Sequence, residues 1–108
     1  MKVAYKVWLD NNGKAFGEGP YQLLKRIRKT GSLHQAAIEM KMSYRKAWVT
    51  IHAIEEKLGF SLLERKIGGT SGGGSIITPS GLELMNHYEQ FRKEVKKTLE
   101  KIYHKHFK

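Results

Sequence analysis

Ser43, Arg45, Lys46, Val49 and His52 fall within ten residues and share one side of a helix if that segment is helical. Their chemistry is recognition rather than bond-making. An arginine guanidinium can hydrogen-bond the O6 and N7 of guanine together, and a valine methyl meets the methyl of thymine. Material for catalysis is scarce. Asp10 is the single aspartate and adjoins a turn, and the nine glutamates mostly stand beside lysines, where surface ion pairs are their ordinary role. The five histidines are scattered; His104 and His106, two residues apart, would lie on different sides of a helix, a poor spacing for metal ligation. No cysteine is present, so disulfides and thiolate metal sites are excluded. The expectation is a binding protein, not an enzyme, with no catalytic residues, no metal and no cofactor.

The charge balance agrees. In 108 residues, 20 Lys and Arg stand against 10 Asp and Glu, a net charge of +10. Such an excess suits a polyanion, because each neutralised phosphate releases a condensed counterion. A basic surface without a specific partner is the plainer alternative. No apolar run approaches the roughly 18 residues of a membrane span, and MKVAYKVWLD carries no cleavable leader pattern, so a soluble cytoplasmic chain without membrane contact is expected.

These side chains need a frame, and the stretch around them supplies one. Ser32 opens a helix as its cap, with Gln35 three residues on as in a capping box; Leu33, Ala36, Ala37 and Met40 face inward. Lys41-Met42 makes a turn, and Ser43 caps the next helix, whose inner residues are Ala47, Ile51, Ile54 and Leu58. The paired alanines let two helices cross closely. A step of about 100° per residue then turns Arg45, Val49, His52 and Glu56 outward and leaves Lys46 and Trp48 on the flanks. Trp48 either plugs the edge of the core or lies against a sugar-phosphate backbone. Gly59 ends the helix.

A strand begins at Leu62-Leu63 and runs toward Arg65, and Ile76-Ile77 returns after a loop from Gly68 to Ser75. Five glycines in that loop expose backbone N–H groups to close approach by phosphate, with Arg65 and Lys66 beside them. A flexible linker is the alternative; the strands on both sides favour a wing. It is not a nucleotide-binding P-loop, because no Gly-Lys-Ser/Thr follows and the loop joins strand to strand. Thr78-Pro79 starts a long final helix with Leu84, Tyr88, Phe91, Val95, Leu99 and Ile102 in one stripe, too long for the core of so small a domain, so a second copy is expected to cover it. Upstream, Val3 to Leu9 alternates as a strand, Asn12-Gly13 makes a hairpin turn, a short strand returns near Ala15 to Gly17, and Gly19-Pro20 opens a helix with Leu23, Leu24 and Ile27 inward and Gly31 at its end.

The fold class is therefore mainly α with small β: a winged helix-turn-helix with an N-terminal β-hairpin over residues 1–80 and a long dimerisation helix over 81–108. Helix, turn, helix and glycine-tipped hairpin place one helix in the major groove and the tip on the flanking backbone. Ser32, His34 and Gln35 at the start of the first of these helices join the candidate DNA surface. A protein-interaction module acting through the long helix is the alternative reading.

The segments VWLDNNGKAFGEG (7–19), GSLHQAA (31–37), MSYRKAW (42–48) and LLERKIGGTSGGGSIITPSG (62–81) resemble the N-terminal DNA-binding domain of the molybdate-responsive regulators, the ModE family, which belongs with the LysR-type winged helices. The resemblance implies that Ser43, Tyr44, Arg45, Trp48 and Val49 belong to a recognition helix. It implies that Arg65 and the residues Gly68, Gly69, Thr70, Ser71, Gly72, Gly73 and Gly74 form the wing, and that the final helix dimerises. Thr70-Ser71 stands where the family has a basic residue, which implies a weaker wing contact. Family members continue into molybdate-binding domains, whereas this sequence ends at Lys108; the expectation is double-stranded DNA as partner, a homodimer, and no molybdate site.

Overall fold

A computed structural model describes residues 1–66 and 74–107. The chain forms β1 (Trp8–Asp10), β2 (Lys14–Gly17), α1 (Glu18–Thr30), α2 (Leu33–Glu39), α3 (Tyr44–Leu58), β3 (Leu63–Lys66), β4 (Gly74–Ile77) and α4 (Pro79–Phe107). The strands make two separate antiparallel hairpins, β1–β2 and β3–β4.

The N-terminal strand is shorter than its alternation predicts. β1 begins at Trp8, opposite Gly17, and there the returning chain turns into α1, so residues 3–7 have no strand to pair with among the described residues. The hairpin turn follows its sequence: Asn12 takes φ 57° and Gly13 φ 120°, conformations that these two residue types tolerate. The tip is tied to the end of α3. Asn11 donates through its side-chain amide to the Lys57 carbonyl at 2.9 Å, and Lys57 Nζ donates to the Asn12 carbonyl at 2.8 Å.

α1 starts at Glu18, ahead of the expected Gly19-Pro20, which puts Pro20 in the first turn, where its missing N–H costs no hydrogen bond. Gly31 closes the helix in the left-handed region at φ 72°. Leu23, Leu24 and Ile27 are buried as expected, and so is Tyr21. Leu33, Ala36 and Ala37 of α2 meet Ala47, Ile51 and Ile54 of α3 in the same core, with Met40 and Leu58 partly buried at its edge. The turn between α2 and α3 is closed by Met42 N–H on the Ala37 carbonyl at 3.0 Å, with Lys41 at φ 56°. Glu39 of α2 pairs with Lys29 of α1 at 3.1 Å, a partly exposed contact between the two helices.

β3 and β4 pair from Leu63 opposite Ile77 to Lys66 opposite Gly74. Gly74 and Ser75, expected in the loop, are strand residues. The reason is local: Ser75 N–H donates to the Gly31 carbonyl at 2.9 Å, and a Cβ on Gly74 would stand 2.7 Å from that same oxygen. The hairpin therefore leans on the end of α1, where there is no room for a side chain.

Thr78 does more than cap α4. Its Oγ1 accepts from Gly81 N–H at 3.0 Å and donates to the Ser61 carbonyl at 2.6 Å, joining the helix start to the segment before β3. Met85 and Tyr88 anchor α4 in the core, with the Tyr88 ring edge-on to Phe16 at 5.2 Å and tilted against Tyr21 at 5.3 Å. Leu84 packs partly buried against that core. Of the six residues expected in one stripe, Tyr88 thus lies in the protomer's own core and Leu84 at its edge; Phe91 and Ile102 are exposed, and Val95 and Leu99 are half-buried. A helix of 29 residues is about 43 Å long, which accounts for most of the molecule's longest extent of 57 Å.

Candidate nucleic-acid interface

α2 and α3 each begin at a serine cap. Ser32 Oγ accepts from Gln35 N–H at 3.0 Å and Ser43 Oγ accepts from Lys46 N–H at 3.0 Å, each satisfying a free amide of a first helical turn. The inner face of α3 is then fixed by Ala47 and Ile51, both with no exposed surface. Its outer face follows from helical geometry: Tyr44, Arg45, Lys46, Trp48, Val49 and His52 are all exposed. Ser43 is exposed at the same end, and His34 and Gln35 of α2 are exposed beside it, while Ser32 is half-buried by its capping role. The His34 and Tyr44 rings lie 6.0 Å apart, so α2 and α3 present one continuous surface.

Trp48 is not part of the core. It is 46% exposed and lies against the His52 ring, with centroids 3.9 Å apart. Val49 is 50% exposed, an apolar side chain held outward by the burial of its neighbours. Arg65 and Lys66 are exposed on β3 and Gly74 is half-buried on β4. Gly68, Gly69, Thr70, Ser71, Gly72 and Gly73 lie outside the described residues.

Glu55 is the residue that sequence reasoning missed. One carboxylate oxygen accepts from Leu62 N–H at 2.7 Å and Leu63 N–H at 3.3 Å, the amides that lead into β3. The other meets His52 Nδ1 at 2.7 Å. α3 and the root of the β3–β4 hairpin are therefore joined through one side chain. A signal existed: Glu55 stands one turn after Ile51, on the inner edge of an amphipathic helix, where a carboxylate requires hydrogen-bond donors.

The shifted ionisations lie away from this surface, where α1 meets α4. Burial raises Tyr21 above the ordinary phenol value, with a further rise from its bond to Glu89. The Tyr21 hydroxyl donates to Glu89 and holds that carboxyl below its usual range. Burial raises Tyr88 as well. Hydrogen bonding to Glu18 raises Arg92, whose guanidinium also lies over the Tyr21 ring at 4.7 Å. These contacts fix how α4 leaves the body. Among the described residues, no group of three His, Asp or Glu is placed to hold a metal, and no helix is long and apolar enough to cross a membrane.

Comparison with known proteins places this arrangement. The family model described as "Bacterial regulatory helix-turn-helix protein, lysR family" matches residues 21–82, from α1 to the start of α4. The chain is 34% identical over 98 residues to the molybdenum-pterin-binding protein MopB of Rhodobacter capsulatus, covering 91% of this chain and 36% of that protein. It is 40% identical over 68 residues to the transcriptional regulator ModE of Haemophilus influenzae, covering 63% of this chain and 27% of that one. The chain thus spans about a third or less of the length of these curated relatives. A crystal structure of a CbnR DNA-binding domain with DNA has a similar fold, with a TM-score of 0.59 at 19% identity, covering 74% of this chain and 86% of that one.

Proposed function

This chain belongs to the bacterial regulatory helix-turn-helix proteins of the LysR family, a DNA-binding class, and from that membership we propose that it is a homodimeric, sequence-specific regulator of transcription. In this reading α3 enters the major groove. Arg45 bonds guanine, Val49 meets a thymine methyl, and Tyr44, Lys46, Trp48 and His52 complete the contact surface with Ser43 and the start of α2. The β3–β4 hairpin lies on the adjoining backbone, with Arg65 and Lys66 at phosphates. Two copies joined through α4 place their recognition helices roughly 34 Å apart on a near-palindromic site.

One observation carries the reading: the exposed half of α3, cationic and aromatic, stands on a core of Ala47 and Ile51 that fixes its direction. The name of MopB connects that protein with molybdenum. That connection is not carried to this chain, which spans about a third or less of the length of these relatives.

The test compares two variants on duplexes of preferred and random sequence. Arg45→Ala is expected to cost about 1–3 kcal/mol on the preferred site and to flatten its preference. Lys66→Ala is expected to weaken all duplexes alike and to lower the salt slope by about one unit. The reverse pattern, with Lys66 governing preference and Arg45 indifferent, overturns the assignment of helix to bases and hairpin to backbone.

A further inference from the structure

His52 is the one exposed residue of α3 whose hydrogen-bonding character is set by another side chain. A carboxylate only accepts, so Glu55 Oε1, 2.7 Å from His52 Nδ1, favours a proton on that nitrogen. Glu55 is not free to turn away: its other oxygen is held by the Leu62 and Leu63 amides, and its side chain is only 14% exposed. The Trp48 ring lies against the imidazole and restricts its rotation. These contacts restrain the ring on the exposed face of α3.

We propose that Glu55 is a positioning residue for base selection, holding His52 as the Nδ1–H tautomer so that Nε2 accepts a hydrogen bond from the exocyclic amine of adenine or cytosine. This rests on the placement of α3 in the major groove argued above. A neutral imidazole in water is free to present either nitrogen as the donor, and a histidine that does so distinguishes bases poorly. With the proton held at Glu55, the outward nitrogen accepts only. In the major groove that matches the N6 amine of adenine and the N4 amine of cytosine, and it opposes the O6 of guanine and the O4 of thymine. The same carboxylate holds the amides that lead into β3, so the base-facing ring and the backbone-facing hairpin share one fixed reference point.

Glu55→Gln inverts the arrangement with almost no change of shape. The amide carbonyl still accepts from Leu62 N–H, but the amide nitrogen donates to Nδ1, and the proton moves to Nε2. The experiment reads the tautomer from imidazole nitrogen shifts in the free protein under mildly alkaline conditions. It then selects preferred sites from random duplexes with the unaltered chain, Glu55→Gln and His52→Ala. The expected result is an Nδ1–H ring in the unaltered chain and an Nε2–H ring in Glu55→Gln. At the base position whose preference disappears in His52→Ala, adenine or cytosine is expected to give way to guanine or thymine in Glu55→Gln, by about three- to tenfold. An Nε2–H or doubly protonated ring in the unaltered chain overturns the proposal, as does a preference that Glu55→Gln leaves unmoved while DNA still binds. Should Glu55→Gln fail to fold, the unaltered chain's tautomer and the His52→Ala selection decide it: the lost preference must be for adenine or cytosine. If the unaltered chain binds no duplex at all, the groove placement itself fails, and the tautomer spectrum shows separately whether Glu55 holds the ring.

Discussion

Gly74 sits where the hairpin meets the body, and its hydrogen atom is the only substituent that fits. A Cβ there would stand 2.7 Å from the Gly31 carbonyl, a backbone atom that already accepts from Ser75. Gly74→Ala is expected to force β4 off the end of α1 and to destabilise the fold by about 1–3 kcal/mol, measured by urea unfolding; an unchanged midpoint contradicts this packing. The Tyr21–Glu89 bond makes a pH-dependent prediction. Glu89 is lowered in the fold, so its contribution is present above the usual carboxylate range and is lost as pH falls through its folded value. Tyr21 is raised, so its contribution is present below the ordinary phenol value and is lost as pH climbs past it. Tyr21→Phe is expected to cost about 1 kcal/mol at neutral pH, with the difference shrinking under acid. A difference that does not shrink as pH is lowered through the folded transition of Glu89 removes the bond from the account. At this scale the sequence shows what depends on neighbours in the chain. Ser32 and Ser43 are legible as caps because their partners lie at fixed offsets. The Leu62 and Leu63 partners of Glu55 are set by the turn after Gly59, and the contact of Trp48 with His52 by a choice of rotamer, so neither can be read along the chain.

Among the elements, those with their own punctuation are read well. α2 and α3 begin at serine caps, and α3 ends at Gly59, as does α1 at Gly31. α4 begins at Thr78-Pro79 as its sequence predicts. The errors occur where an element depends on a partner. Val3 to Val7 alternate like a strand but have none to pair with among the described residues, and Gly74 reads as loop until Gly31 and Ser75 are seen to meet. The final stripe is divided by the same cause, because Tyr88 is drawn inward by Phe16 and Tyr21. The surface left for a second copy then runs from Phe91 through Val95 and Leu99 to Ile102. Val95→Glu with Leu99→Glu would bury unpaired charge in that interface. Sedimentation of the unaltered chain at about tens of micromolar, a range in which weak dimers assemble, is expected to show dimers, and the double variant monomers. An unaltered chain that is monomeric there contradicts dimerisation through α4.

For the molecule as a whole, the charge of +10 and the exposed cationic half of α3 lead to the same expectation. Fold class was legible because composition, caps and apolar spacing all point to one arrangement. Which side chain braces α3 was not legible, since the Glu55 contacts join α3 to the segment before β3 across the fold. The central claim is that this family member binds duplex DNA chiefly through phosphate contacts, with α3 adding preference. Its most direct test is the affinity for a labelled duplex measured by anisotropy across a series of salt concentrations. The account predicts that the logarithm of the association constant falls linearly with the logarithm of salt, with a slope of about −0.9 for each phosphate neutralised. Affinity that does not change with salt, or no binding to any duplex at low salt, would contradict it.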